Sequence, residues 1–355
     1  MTKTIRRSTI MASPKKTVSR ALDFLEKLSG VYSPTGYSHE ALQLIASWLK
    51  KEGIAGTLTN KGALLAGNHP TPQLVVAAHA DTLGAMVNKL NGNGTLGITP
   101  IGGLLLPTFE GGYVTVKTGN DKGYRGTLLL NNPAAHVNPE AGKTERKADG
   151  MHIRLDEEVK SRADLEKLGI QIGDFICFDA RFEVTPSGFI KSHFLDDKAG
   201  CAAILDAMVT LGAAKLKRLP VAFFFSNYEE VGHGASAGLP ETATEMLVVD
   251  MGVVGTTVEG DETCVSICPK DSSGPYDFHL RQKLVTLARQ KKIPYKLDVF
   301  PFYGSDGSAA LRAGYNLRVG LIGPGVSASH GMERTHIKGI HATRDLVLAY
   351  IATLG

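Results

Sequence analysis

At 355 residues the chain is long enough for a large buried core and for two domains. Its 43% hydrophobic and 21% charged residues suit a soluble globular protein, and no run of about 18 apolar residues occurs, which excludes a helical membrane span. Net charge is +4, but much of the excess sits in Lys3, Arg6, Arg7, Lys15, Lys16 and Arg20, so residues 1–16 read as a disordered basic tail and no nucleic-acid partner is expected.

That leading segment lacks an apolar stretch of its own, so it is not a secretory signal. Residues 17–28 place Val18, Ala21, Leu22, Leu25 and Leu28 at helical spacing, and Ser33-Pro34-Thr35-Gly36 ends the pattern. Ser38 stands where an N-cap is needed for a second amphipathic helix through Leu49. Residues 62–67 and 74–78 read as strands, and the second runs into His79-Ala80-Asp81. From about Asn88 to Pro186 glycines are dense and short β-rich pieces recur. This predicts a small β domain, 88–186, inserted into an α/β domain made of 17–87 and 187–355. Inside it only 163–168 has a helical pattern, and 131–147 is a polar loop.

After Gly188 the α/β pattern returns. Asp196-Asp197-Lys198-Ala199-Gly200 leads into an Ala- and Leu-rich helix to Leu211, whose small residues suit close packing on a sheet. The apolar run 221–225 reads as a strand buried on both faces, followed by Glu229-Glu230-Val231-Gly232. A second apolar run, 246–249, ends in Asp250, and the two strands are expected to be neighbours. A helix over 276–289, a strand over 295–300, a helix from Ser305, a strand over 318–322 feeding Gly323-Pro324-Gly325 and a closing helix over 343–354 complete the pattern. Cys177, Cys201, Cys264 and Cys268 have neither zinc-finger nor redox spacing and read as buried reduced thiols of a cytoplasmic protein.

His79, Asp196, Glu230, Asp250 and His330 all fall at strand ends or helix starts. In open sheets with parallel strands, ligands bind at the carboxyl edge. Imidazole with carboxylate suits zinc or cobalt, with manganese a further option. Two histidines and three carboxylates exceed what one open four-coordinate ion needs but serve two ions if one carboxylate bridges. Two dications are then balanced by three carboxylates and a bridging hydroxide. Glu229 is left over, and an unliganded carboxylate at that place is what a hydrolase needs as general base. Taken singly each residue has an ordinary reading: a polar residue after a strand for His79, helix N-terminal acids for Asp196 and Asp197, and a solvated loop for Glu229 and Glu230. His193 and His233 lie close in sequence to the set and are candidates for supporting contacts. No Gly-x-Ser-x-Gly elbow, phosphate-binding loop or dinucleotide fingerprint occurs.

The order His79-Ala80-Asp81, Asp196-Asp197-Lys198-Ala199-Gly200, Glu229-Glu230-Val231-Gly232, Asp250 and His330-Gly331-Met332-Glu333 resembles the dinuclear metallo-aminopeptidases of the glutamyl and deblocking (tetrahedral) aminopeptidase family, from about Thr17 onward and including Gly304-Ser305-Asp306. The resemblance implies a phosphorylase/hydrolase-like α/β sheet with an inserted PDZ-like barrel that mediates homo-oligomers, from a dimer building block up to a dodecamer. It implies Asp196 as the bridging carboxylate with a cis bond to Asp197. His79 and Asp250 would hold one ion, Glu230 and His330 the other. Glu229 would be the base, and Asp81 would orient His79. It implies cleavage of the N-terminal peptide bond of short peptides. Two departures stand out: Thr82, where the family usually has Glu, and residues 268–276. The latter resemble a branch encoded beside synthesis genes for an N-acetylated dipeptide-amide osmolyte, so a hydrolase of such an amide is an alternative. A metal-bound structural or binding protein without turnover is the other, and Glu229 argues against it.

Overall fold

The computed structural model describes residues 19–120 and 122–355; the predicted basic tail, 1–16, and residues 17 and 18 of the predicted first helix lie outside them. The chain forms a mixed α/β fold around a twelve-stranded sheet, with a separate closed barrel of six strands.

The centre of the large sheet is parallel: strand Val221–Ser226 pairs with Leu74–His79, which pairs with Glu245–Val249, which pairs with Arg318–Ser327. The first two are buried along their whole length, as their unbroken apolar runs require when helices cover both faces. Phe223, Phe224 and Phe225 are each 0% exposed, and burying each contributes about 2 kcal/mol. The acid-bearing strands 221–226 and 245–249 are therefore not neighbours: Leu74–His79 lies between them. Parallel strands are joined by crossovers, so chain order does not set sheet order. The consequence is functional, because the strand carrying His79 ends between the two that deliver acids.

Helices Arg20–Ser29, Leu195–Leu211 and Ile337–Ile351 share one core with one face of this sheet. Leu195–Leu211 packs Ala199, Ala202, Ala203 and Ala207 at full burial. Gly200 serves a local purpose: a Cβ there would collide with the Asp197 carboxylate, which accepts the Gly200 N–H at 3.2 Å. Strand 318–327 is longer than its apolar run and continues through Gly323-Pro324-Gly325. Gly323 lets the Asp250 carbonyl approach closely where a side chain would clash. Other differences are local. Helix His39–Lys51 begins after Ser38, but the Ser38 side chain makes no cap bond. The strand at 295 stops at Leu297, and the last helix begins at Ile337, with His336 accepting the Lys338 N–H as its cap. Strands Phe189–Ser192 and Glu333–His336, which pair with each other, were missed because they are short and polar.

The barrel runs Gly84–Leu90, Leu96–Ile101, Met151–Leu155, Gly123–Leu130, Tyr113–Lys117 and Phe175–Phe178, closing back on the first strand. Its strands thus begin before Asn88, while Glu183–Val184 joins the large sheet. Residues 131–147 carry no helix or strand, and within 88–186 a short helix, Leu106–Phe109, is present besides Arg162–Lys167. Val87, Leu96, Val114, Val116, Leu128, Ile153 and Ile176 make its interior, separate from the core of the large sheet.

Candidate metal centre

His79 ends its strand at 2% exposure. Its Nδ1 lies 2.9 Å from the main-chain carbonyl of Asp81, which only accepts, so Nδ1 carries the proton. Its Nε2 points at carboxylates: Asp196 Oδ1 at 3.0 Å, Glu229 Oε2 at 3.7 Å and Asp250 Oδ1 at 3.9 Å. His330, in a left-handed turn (φ 63°), repeats the pattern on the other side of Asp196. Its Nδ1 lies 3.0 Å from the Gly103 carbonyl, while Nε2 is 3.7 Å from Asp196 Oδ2 and 3.7 Å from Glu230 Oε2. The two oxygens of one carboxylate thus face two different imidazoles. Glu229 and Glu230 lie on a single tight turn, Glu229–Val231, between left-handed Tyr228 and Gly232 at the end of strand 221–226.

This donor set fits divalent cations. With Nδ1 committed to a main-chain carbonyl on both rings, each Nε2 faces carboxylate oxygens, an arrangement made favourable by positive charge, either a proton on the ring or a cation between ring and carboxylate. Glu230 Oε1 is buried with no hydrogen-bond partner. Donor atoms of His79, Asp196 and Glu230, and of His79, Asp197 and Asp250, each fall within 4.8 Å of one another. Electrostatics record the same crowding of acids in the cluster. Burial, then Asp196, pushes Asp250 up to about 8. Burial, with Asp250, Asp306 and Glu230, raises Glu229 well above the ordinary carboxylate range, and burial with Asp196 does so for Glu230. Burial opposes charge on His79, but the Asp196 bond and the Glu229 and Asp250 charges outweigh it and hold the ring well above 6.5.

The expected residues come together, with some roles redistributed. The Asp81 carboxylate is 3.7 Å from His79 Nδ1 and is not the group that orients it; its carbonyl is. The carboxylate instead accepts the Thr35 hydroxyl at 2.6 Å and the N–H groups of Glu229 and Glu230 at 3.3 and 3.4 Å. Asp81 therefore ties the end of the His79 strand to the turn that carries both glutamates. The Asp196–Asp197 peptide is cis. Asp197 already accepts the N–H of His79 at 3.3 Å and of Gly200, the duties of a helix-start acid. His193 stacks on Phe109 and lies 2.6 Å from the Gly331 carbonyl, next to His330, whereas His233 stacks on Tyr228.

Three supporting residues were not assigned from sequence. Glu333, 2% exposed, accepts the N–H of Leu195 at 2.5 Å, of Asp196 at 3.1 Å and of His330 at 3.1 Å, so one carboxylate fixes two candidate ligand backbones. Asp306 accepts the Ser226 hydroxyl and, at 2.7 Å, the Ala235 N–H behind the glutamate turn. The Gly103 carbonyl comes from the inserted segment. An acid three residues after His330 was a visible signal for Glu333; nothing local marks Gly103. A cleft of about 240 Å³ opens onto the cluster, with Phe302, Tyr303 and Arg312 on its wall and rim.

Comparisons with known proteins agree with this architecture. The chain is 43% identical to YhfE of Bacillus subtilis (strain 168) over 340 residues, covering 94% of this chain and 98% of that one. In structure it matches aminopeptidase APDkam598 from the archaeon Desulfurococcus kamchatkensis with a TM-score of 0.82 at 23% identity, covering 93% and 94% of the two chains. It matches the Pyrococcus horikoshii TET1 peptidase with a TM-score of 0.81 at 20% identity, covering 93% and 99%. Sheet and inserted barrel are thus those of the aminopeptidase fold. The family model for M42 glutamyl aminopeptidases matches residues 60–346, and the chain belongs to that family. It is a metal-dependent aminopeptidase.

Proposed function

We propose that the protein removes the first residue of short peptides at a site holding two divalent ions, zinc or cobalt, with manganese a further option. The observation that carries this reading is the pair of imidazoles on opposite oxygens of Asp196. His79 and Asp250 would hold one ion, Glu230 and His330 the other, with Asp196 shared. When bound, such ions supply Lewis acidity at the scissile carbonyl and a water acidified to near-neutral pH. Glu229 makes no hydrogen bond to a ring nitrogen and is free to act as the base. It takes a proton from the attacking water and passes it to the leaving nitrogen as the C–N bond breaks, giving a free amino acid and the shortened peptide.

The cleft offers Asp196, Glu229, Glu230 and Asp250 as acceptors, a setting that favours a free amino terminus over an acetylated one. The protein works as a homo-oligomer whose inserted segment, 88–186, makes subunit contacts; the TET1 relative assembles into a tetrahedron or an octahedral shell. A cytoplasmic setting accords with four free, buried cysteines, and no helix among the described residues is long and apolar enough to cross a membrane. The test is a paired assay of one short peptide with a free and an acetylated amino terminus, with zinc or cobalt supplied. Cleavage of the free form at its first bond is expected. Preference for the acetylated form, or release of a C-terminal residue, would overturn the reading.

A further inference from the structure

Ionised carboxylates accept hydrogen bonds and do not donate them, so Asp196, Glu229, Glu230 and Asp250 leave the cleft short of donors. Amide hydrolysis passes through a tetrahedral oxyanion that is stabilised by a donor aimed at it. The other polar side chains lining the cleft are Tyr303, Ser305, Arg312 and His330. Ser305 is 2% exposed, and its hydroxyl is engaged by the Gly307 N–H at 3.2 Å and the Tyr276 hydroxyl at 2.7 Å. Arg312 stands on the exposed rim and reaches the Gly232 carbonyl at 3.4 Å. His330 commits Nδ1 to Gly103 and turns Nε2 to Asp196 and Glu230. Tyr303 remains. Its hydroxyl donates to the Met251 carbonyl at 2.9 Å, next to Asp250 at the mouth of strand 245–249.

A separate set of contacts holds this residue in place. The Ser272 N–H and hydroxyl both donate to the Tyr303 carbonyl, at 3.1 and 2.5 Å. Fully buried Asp271 accepts the Tyr276 hydroxyl at 2.7 Å, and Tyr276 in turn meets Ser305. Phe300 packs on the Tyr303 ring at 5.3 Å between centroids. The stretch 271–276, where the sequence departs from the resembled family, is thus the brace of the loop that presents this phenol.

We propose that the Tyr303 hydroxyl is a catalytic hydrogen-bond donor, swinging from the Met251 carbonyl to the oxyanion formed at the scissile carbonyl. The inference rests on the hydrolytic reading above. Tyr303 keeps its proton throughout, so the proton balance carried by Glu229 is unchanged. Tyr303→Phe removes the hydroxyl alone. Metal content and melting temperature should match the parent, KM should stay within about threefold, and kcat should fall about 100-fold. A phosphonate analogue of the tetrahedral state should bind more weakly by a similar factor in calorimetry. A kcat within about threefold of the parent, or a loss that tracks lost metal, would overturn the proposal; the latter would make Tyr303 a support for Asp250. The parent assayed on free and acetylated peptides keeps the two readings apart. A parent that cleaves neither brings down both, and one that cleaves the free form leaves the decision to Tyr303→Phe.

Discussion

His79 and His330 each commit one ring nitrogen to a main-chain carbonyl and leave the other facing Asp196. That division of labour makes the roles of single residues separable by mutation. Glu229→Gln keeps the shape of the turn and should retain both ions while turnover drops about a hundredfold or more; metal analysis beside kinetics checks it. Near-parental turnover with two ions bound would remove Glu229 from the mechanism. Asp196→Asn should weaken both ions, whereas His79→Ala should weaken mainly one. Titration calorimetry with zinc separates the two, and parental affinity for both ions in Asp196→Asn would rule out a shared carboxylate. Glu333 is a different kind of residue. It touches no ring nitrogen, yet it receives three N–H groups from the two segments that carry Asp196 and His330.

At the scale of elements, the insert has a link to the centre that its lack of ligand residues hides. The Gly103 carbonyl sets the tautomer of His330, and the Leu105 N–H reaches the His330 carbonyl at 3.4 Å. Replacing 88–186 by a short linker should therefore do two things at once. The particle should become smaller by light scattering, and bound metal should fall from two ions toward one as His330 loses its support. An unchanged mass would assign the barrel another role, and full metal content would show that Gly103 is dispensable. The helix Asp306–Arg312 shows the opposite case, a device closed within itself. Ser305 and Ser308 form a reciprocal capping box, which places Asp306 behind the glutamate turn.

For the whole molecule, the buried acids make stability depend on pH in a direction opposite to ordinary acid denaturation. Asp250, raised from 3.8 to about 8 by burial first and Asp196 second, stays protonated in the folded chain over a range where the unfolded chain has lost the proton. The folded state then binds more protons, so stability falls as pH rises across that window. Glu229, Glu230, Asp197 and Glu333 shift the same way, with burial the main cause for each. The stability that charged His79 contributes is complete below 6.5 and is lost as pH rises through its higher folded value. Asp196 runs the other way: burial opposes its charge, but the bond to His79, the charges of His79 and His330 and a bond with Asp250 together outweigh it. Chelator-treated protein should therefore melt at lower temperature as pH goes from about 6 to about 8.5, and added zinc or cobalt should raise and flatten the profile. Scanning calorimetry of both forms tests this; a flat profile without metal would count against protonated acids in the cluster.

The sequence by itself determined which side chains the fold gathers at the candidate metal centre and which backbone periods they sit on. Apolar runs of strand length, each closed by His79, the Glu229–Glu230 pair or Asp250, were legible because burial on both faces leaves no alternation to misread. The β-rich texture of the insert was legible for the same local reason. The tertiary structure decided the order of the strands, which put His79 between the two acids and not beside them. It decided that Asp81 serves the glutamate turn, that Glu333 pins two ligand segments, and that Gly103 and the 271–276 brace reach the site from elsewhere in the chain. Each of these rests on a hydrogen bond between segments far apart in sequence, and most use a main-chain N–H or carbonyl. Every residue carries those groups, so side-chain identity cannot announce which will be used; only the path of the folded chain selects them.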